Sequence, residues 1–198
     1  LRAALAGEKV TADYETFSVR GFRLGRPLPA DVPPPPILLA ALRPRMLRLA
    51  GREADGAIIN WLSADDVAKV VPHVGADKEI VCRIFCCPST DAAAVRQQGR
   101  FLLTSYLNVP VYRAFHEWLG RGRALAGMWE AWEAGDRAGA LAAVPDEVVD
   151  ELIVHGSPEE CRAHIRRYVE NGVTTVALAI LPLAGVDQRQ ALRDLAPA

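Results

Sequence analysis

Ile37-Leu38-Leu39-Ala40-Ala41-Leu42-Arg43-Pro44-Arg45-Met46-Leu47-Arg48-Leu49-Ala50 decides the fold. Its first five residues are apolar without alternation, the pattern of a strand buried on both faces, as in a parallel sheet. Pro44 then fits the first position of a helix, where its missing N–H costs nothing. A second run of the same kind, Ala57-Ile58-Ile59-Asn60-Trp61, follows one helix later. Two buried strands joined by a helix make a β-α-β unit.

Working outward, the unit repeats. Ser63-Ala64-Asp65-Asp66 reads as a capped helix start, with a helix to about Val71. Glu79 to Cys87 is a third strand, and Pro88-Ser89-Thr90-Asp91 opens a helix over 92–107. Residues 108–153 read as helical throughout, with breaks at Asn108-Val109-Pro110, Gly120, Gly135 and Pro145. Ser157-Pro158-Glu159-Glu160 carries a capping box, and its helix stops near Asn171-Gly172. Val173 to Ile180 is the fourth strand, and a short helix begins near Gln188. Upstream, Val10-Thr11-Ala12 and Phe17-Ser18-Val19 form a hairpin pattern, and the prolines of 27–36 make an extended lead-in. Leu1 to Gly7 reads as the end of a helix, so the expectation is a chain that starts mid-domain.

Parallel strands with helical crossovers admit a doubly wound open sheet or a (β/α)8 barrel. Four strands are too few for a closed barrel. The expectation is α/β, of TIM-barrel type, with strands 5–8 present as a half barrel. Residues 1–198 are read as the C-terminal part of one barrel domain, with an insertion at 8–36 and a helical segment at 108–153. An open-sheet enzyme of another class should carry a phosphate fingerprint such as G-x-G-x-x-G, and none is present.

The net charge of −1 gives no global field to recruit nucleic acid or an anionic membrane. No run reaches the roughly 20 apolar residues that span a bilayer. Cys82, Cys86, Cys87 and Cys161 lack zinc spacing and read as buried thiols of a reducing cytoplasm. Cys86 and Cys87 are adjacent and should point to opposite faces of their strand. His73, His116, His155 and His164 are scattered and read as structural or exposed.

Barrel active sites lie at the C-terminal ends of strands. Here those are Ala41-Leu42-Arg43, Asn60-Trp61, Cys87-Pro88-Ser89 and Leu181-Pro182. Ala40 and Ala41 are small enough for close backbone approach, and the helix from Pro44 offers free N–H groups. Arg43 and Arg45 add fork geometry suited to phosphate. The same residues also fit tight strand–helix packing with two solvated arginines. Asn60 suits either a hydrogen bond to a ligand edge or a cap of the turn. Trp61 suits a pocket wall or core. The aromatics from Tyr112 to Trp132 suit core packing, with part of the set available to a substrate pocket.

Leu39 to Gly51 followed by Ala54-Asp55-Gly56-Ala57-Ile58-Ile59-Asn60 resembles the bacterial luciferase-like monooxygenase superfamily, in particular its deazaflavin-dependent oxidoreductase branch. Leu5-Ala6-Gly7-Glu8-Lys9-Val10 with Phe17-Ser18-Val19, Val81 to Phe85, and Gly156 to Cys161 with Gly172-Val173 resemble further passages of that family. The resemblance implies hydride transfer with coenzyme F420, or FMN as the alternative, to a small organic substrate. It implies that Ala40, Ala41, Leu42, Arg43, Arg45 and Asn60 contact the cofactor, the turn at its phosphate-bearing tail. It also implies that strands carrying the rest of the pocket have no counterpart here. A homodimer, or pairing with that missing half, is therefore expected, and a non-catalytic half barrel is the rival reading.

Overall fold

The computed structural model describes residues 1–29, 31–75 and 77–196, which form two compact units, 1–37 and 38–198. The first holds α1 (Arg2–Leu5) and an antiparallel hairpin of β1 (Val10–Asp13) and β2 (Ser18–Phe22). Helix α1 stops at Gly7, whose φ of 82° is the left-handed conformation a glycine tolerates. The second arm of the hairpin is shifted from the expected Phe17 start, since Phe17 stacks on Tyr14 at 4.6 Å across the turn instead.

The second unit is built on β3 (Leu38–Ala40), α2 (Pro44–Glu53), β4 (Gly56–Asn60), α3 (Ala64–Val74), β5 (Glu79–Cys87) and α4 (Ala92–Leu107). Four further helices follow: α5 (Pro110–Leu119), α6 (Gly122–Glu133), α7 (Arg137–Ala142) and α8 (Asp146–Leu152). The chain then forms β6 (Ile153–His155), α9 (Pro158–Glu170), β7 (Thr175–Ile180) and α10 (Gln188–Leu195). All five strands pair in parallel, in the order β3-β4-β5, with both β6 and β7 on β5. β4 pairs with Glu79–Arg83 and β6 with Phe85–Cys87, while β7 spans Val81–Cys86. β6 therefore takes over, farther along, the edge of β5 that β4 leaves.

Two expectations need correction. The segment 108–153 is not helical to its end, because Ile153 begins β6. A three-residue strand that follows a helix with no turn residue between carries no local signal. Helix α3 also passes through Pro72 to Val74 rather than stopping near Val71. It loses one ladder bond there but keeps Val74 buried in the core. The capping box read at Ser157/Glu160 forms, and the Ser63 cap proves to be one too, completed by Asp66.

The register sorts the side chains by face. On one face, Ala57, Ile59, Ile80, Cys82, Ile84 and Cys86 pack against Leu47 of α2, Val67 and Val70 of α3, and Cys161 and Tyr168 of α9. All three crossover helices thus cover the same face, with neighbouring strands in chain order and no reversal of strand order. A doubly wound sheet would place helices on both faces. On the opposite face, Phe85 and Cys87 are buried by a second core, of Trp61, Leu103, Leu107, Leu125, Met128, Trp129 and Ile153. Cys86 and Cys87 accordingly lie in different cores, and all four thiols are free and buried. Below that second core the face is open: Ala40, Arg83, Thr175 and Ala177 are exposed, and Ile58 is 40% exposed. The strands do not close into a barrel.

Candidate cofactor site at the strand ends

β3 and β4 end side by side, with Ala40 in register with Ile58. Their C-terminal ends, the first turn of α2 and the start of α5 enclose a cavity of about 270 Å³. Five of the six expected site residues line it: Ala40, Ala41, Leu42, Arg43 and Asn60. Arg45 does not. It is exposed at the second position of α2, outside the residues that line the cavity. Met46, Ile58, Val111 and Tyr112 complete the wall. Asn60 donates from Nδ2 to the Tyr112 hydroxyl at 3.5 Å, a long bond that leaves its amide oxygen available.

The turn leaves main-chain donors unused. Arg43 is extended (φ −116°, ψ 162°) and caps α2 without a side-chain hydrogen bond, and Pro44 has no N–H. The main-chain N–H groups of Arg45 and Met46 therefore lack a helical partner. Arg43 is exposed and makes no ion pair among the described residues. Small side chains, free amides and a free guanidinium fit a phosphate-bearing group. At about 270 Å³ the cavity lies just under the roughly 300–1,000 Å³ of ordinary ligand pockets, so it accommodates part of a flavin-sized molecule.

Trp61, directly after Asn60, is core rather than pocket wall. It is 1% exposed, stacks on Phe85 at 3.9 Å and touches Tyr106 at 5.0 Å. Its φ of 53° is the sole left-handed value at a non-glycine among the described residues, and its indole N–H has no partner. Such a conformation costs about 1–2 kcal/mol and persists when its surroundings over-determine it. A buried polar network lies on the residues that follow it. Arg121 approaches Asp66 Oδ2 at 2.6 Å, donates to Glu151 Oε2 at 2.9 Å and to Ser63 Oγ at 3.1 Å. Tyr168 donates its hydroxyl to the Leu62 carbonyl at 3.0 Å.

His116 lies beneath this turn, fully buried, with neither ring nitrogen in a completed hydrogen bond. Burial, and then the Arg121 charge, push it down to about 3 against the opposing pull of Asp66, so it is neutral. His155 contacts Asp150 at 2.9 Å, and Arg96 holds Asp150 with two bonds of 3.0 and 2.6 Å. Arg96 and then burial act in opposite directions on Asp150, with the Arg96 bond winning and its carboxyl held below the usual range. His73 lies 5.7 Å from Trp118 and His164 5.9 Å from Tyr168, and no cluster among the described residues is suited to a metal ion.

Residues 1–175 match the family described as "Luciferase-like monooxygenase". The chain belongs to that family. Among relatives of this luciferase-like chain, a 5,10-methylenetetrahydromethanopterin reductase of Methanolobus tindarius is 28% identical over 191 residues, covering 89% of this chain and 56% of the relative. The enzyme of that name from Archaeoglobus fulgidus is 26% identical over 208 residues, covering 98% and 60%. The luciferase-like chain thus spans between 56% and 60% of the length of these relatives. In fold it is similar to the coenzyme F420 dependent tetrahydromethanopterin reductase from Methanopyrus kandleri, with a TM-score of 0.74 at 19% identity, covering 98% of this chain and 58% of that one. It is also similar to an F420-dependent secondary alcohol dehydrogenase in complex with an F420-acetone adduct, with a TM-score of 0.65 at 17% identity, covering 90% and 52%.

Proposed function

We propose that this chain forms part of an F420-dependent oxidoreductase that transfers hydride to or from a small organic substrate, with FMN as the alternative cofactor. The observation that carries the reading is the convergence of Ala40, Ala41, Leu42, Arg43 and Asn60 on one cavity at the strand ends, in a chain of the luciferase-like family. The names of the relatives support F420 over FMN. When bound, the deazaflavin supplies the hydride-carrying ring. The residues of this chain bind and orient it. Arg43 and the α2 amides receive the phosphate-bearing tail. Asn60, steadied by Tyr112, presents its amide oxygen to a ring or substrate edge. The methyl groups of Ala40 and Ala41 permit close approach and exclude water.

F420 fluorescence titrated with the purified chain tests this. Saturable binding is expected, weakened about tenfold by Arg43→Ala, the loss of one charge-assisted hydrogen bond. Absence of binding of both F420 and FMN, by this chain and by any longer form that carries it, refutes the reading.

A second reading has its own support. Parallel sheets are normally covered on both faces, and this one exposes Ile58 and its neighbours, with further pairing edges at β3 and β7. A half barrel that pairs with further β/α units, or with a second copy, explains that face. Sedimentation that shows a monodisperse monomer with cooperative unfolding counts against it.

A further inference from the structure

Arg83 sits in the interior of β5, on the open face of the sheet. Its Cα partners are Asn60 on β4 and Ala177 on β7, so the three side chains leave the same face at the same level. Interior positions of parallel strands are ordinarily apolar. Arg83 is exposed, and among the described residues it makes no hydrogen bond and no ion pair. Its guanidinium carbon lies 4.6 Å from the centroid of the Phe85 ring. That contact supports the flat face of the guanidinium and leaves N–H donors free at its edge. Ala177, a methyl group, leaves the β7 side open, and Asn60 brings an amide rather than a charge. The one carboxylate on this face of β5, Glu79, is four residues back, about 13 Å at the usual strand rise. It is engaged by the Thr175 hydroxyl at 3.0 Å.

We propose that Arg83 is an anion-binding residue of the site, taking an oxyanion (carboxylate or phosphate) of a ligand whose remainder reaches Asn60. Asn60 and Arg83 are on adjacent strands, about 4.8 Å apart at Cα. One ligand therefore spans the Asn60 wall of the cavity and the Arg83 fork. The inference rests on the reading of this end of the sheet as a ligand site. The oxyanion belongs either to the cofactor tail or to the substrate.

Arginine modification by phenylglyoxal, read peptide by peptide by mass spectrometry on the intact chain, tests this without relying on activity. Arg45 is the exposed reference and Arg121 the buried, paired one. In buffer Arg83 should react at a rate within a few fold of Arg45. Saturating FMN or benzoate should slow it at least tenfold, and riboflavin, which lacks the phosphate, should not. Protection by FMN alone assigns the oxyanion to the cofactor, and protection by benzoate alone assigns it to the substrate. Benzoate protection of Arg83 with Arg43 untouched by FMN upholds the anion site while removing the cofactor reading. Arg83 as inert as Arg121 before any ligand is added, or unprotected by every anion, overturns the proposal.

Discussion

His116→Leu should weaken, by the share of one buried histidine, a pH dependence that the native chain shows between pH 7.5 and 5.5. The imidazole is fully buried against Phe115, with Arg121 and Asp66 as the charges that face it. Its value in the folded chain falls to about 3 from an ordinary 6.5, with burial the larger cause and Arg121 the next. The unfolded chain therefore binds a proton that the folded chain refuses. The contribution to stability is complete above the unfolded value and is lost as the pH falls from 6.5 toward 3. At pH 5.5, one unit below the unfolded value, the linkage amounts to about 1.4 kcal/mol relative to pH 7.5. His164 is also lowered, first by burial and then by Arg167, and loses stability in the same direction, so His164→Gln is the companion control. The lowered carboxyls of Asp13, Asp150 and Glu160 lose their contributions only in more acid solution. Urea unfolding at each pH, with a constant m-value, measures the difference. At pH 7.5 the leucine variant should be no less stable than the native chain, since it replaces two unpartnered buried nitrogens. A native chain of equal stability at pH 7.5 and 5.5, or a leucine variant with the native slope, refutes the reasoning.

Asp66→Ala leaves the buried Arg121 charge with half-exposed Glu151, and should cost about 3 kcal/mol. Adding Arg121→Met should recover most of that loss in the same urea measurement. Gly99→Ala places a Cβ 2.5 Å from Val149 Cγ1 and 2.8 Å from Ile153 Cδ1. Valine is stiff at χ1, so overpacking should outweigh the gain in helix propensity and destabilise by about 1–2 kcal/mol. A thermal midpoint equal to or above the native one would show that α8 yields more easily than its packing implies.

The legible parts of the sequence were those with a local cause. Ser63 and Ser157 each announce a helix because the acid three residues on completes a reciprocal bond, and both bonds form. The apolar runs around Leu39, Ile58 and Ile84 announce parallel strands, but burial on both faces fails at β3 and β4, where Ala40 and Ile58 are exposed. The convergence of Ala40 and Asn60 followed from both lying at the ends of adjacent strands. Arg45 was read with the turn as one group, but among the expected site residues it alone does not line the cavity. Tyr112 was legible only as an aromatic, since it meets Asn60 from 52 residues away. Arg83 was hidden inside an apolar run, where only register reveals that its face has no cover. The strain at Trp61 has no sequence signature, because a tryptophan in the left-handed region is imposed by its surroundings.

The takeover of one edge of β5 by β6 has a consequence for how this architecture varies. The chain leaves the sheet after Cys87 and returns to it at Ile153, and just past both strand ends the Gly156 N–H donates to the Ser89 carbonyl at 3.0 Å. The excursion between them, from α4 to α8, is closed at its ends and also packs on Trp61 and Phe85, with Arg121 reaching Asp66 and Ser63. Closing a longer or shorter excursion between fixed ends changes the entropy only with the logarithm of its length, about 0.6 kcal/mol per doubling. Changes of length in this segment alter the wall that Val111 and Tyr112 present to the cavity, while α2, β3 and β4 supply the other wall.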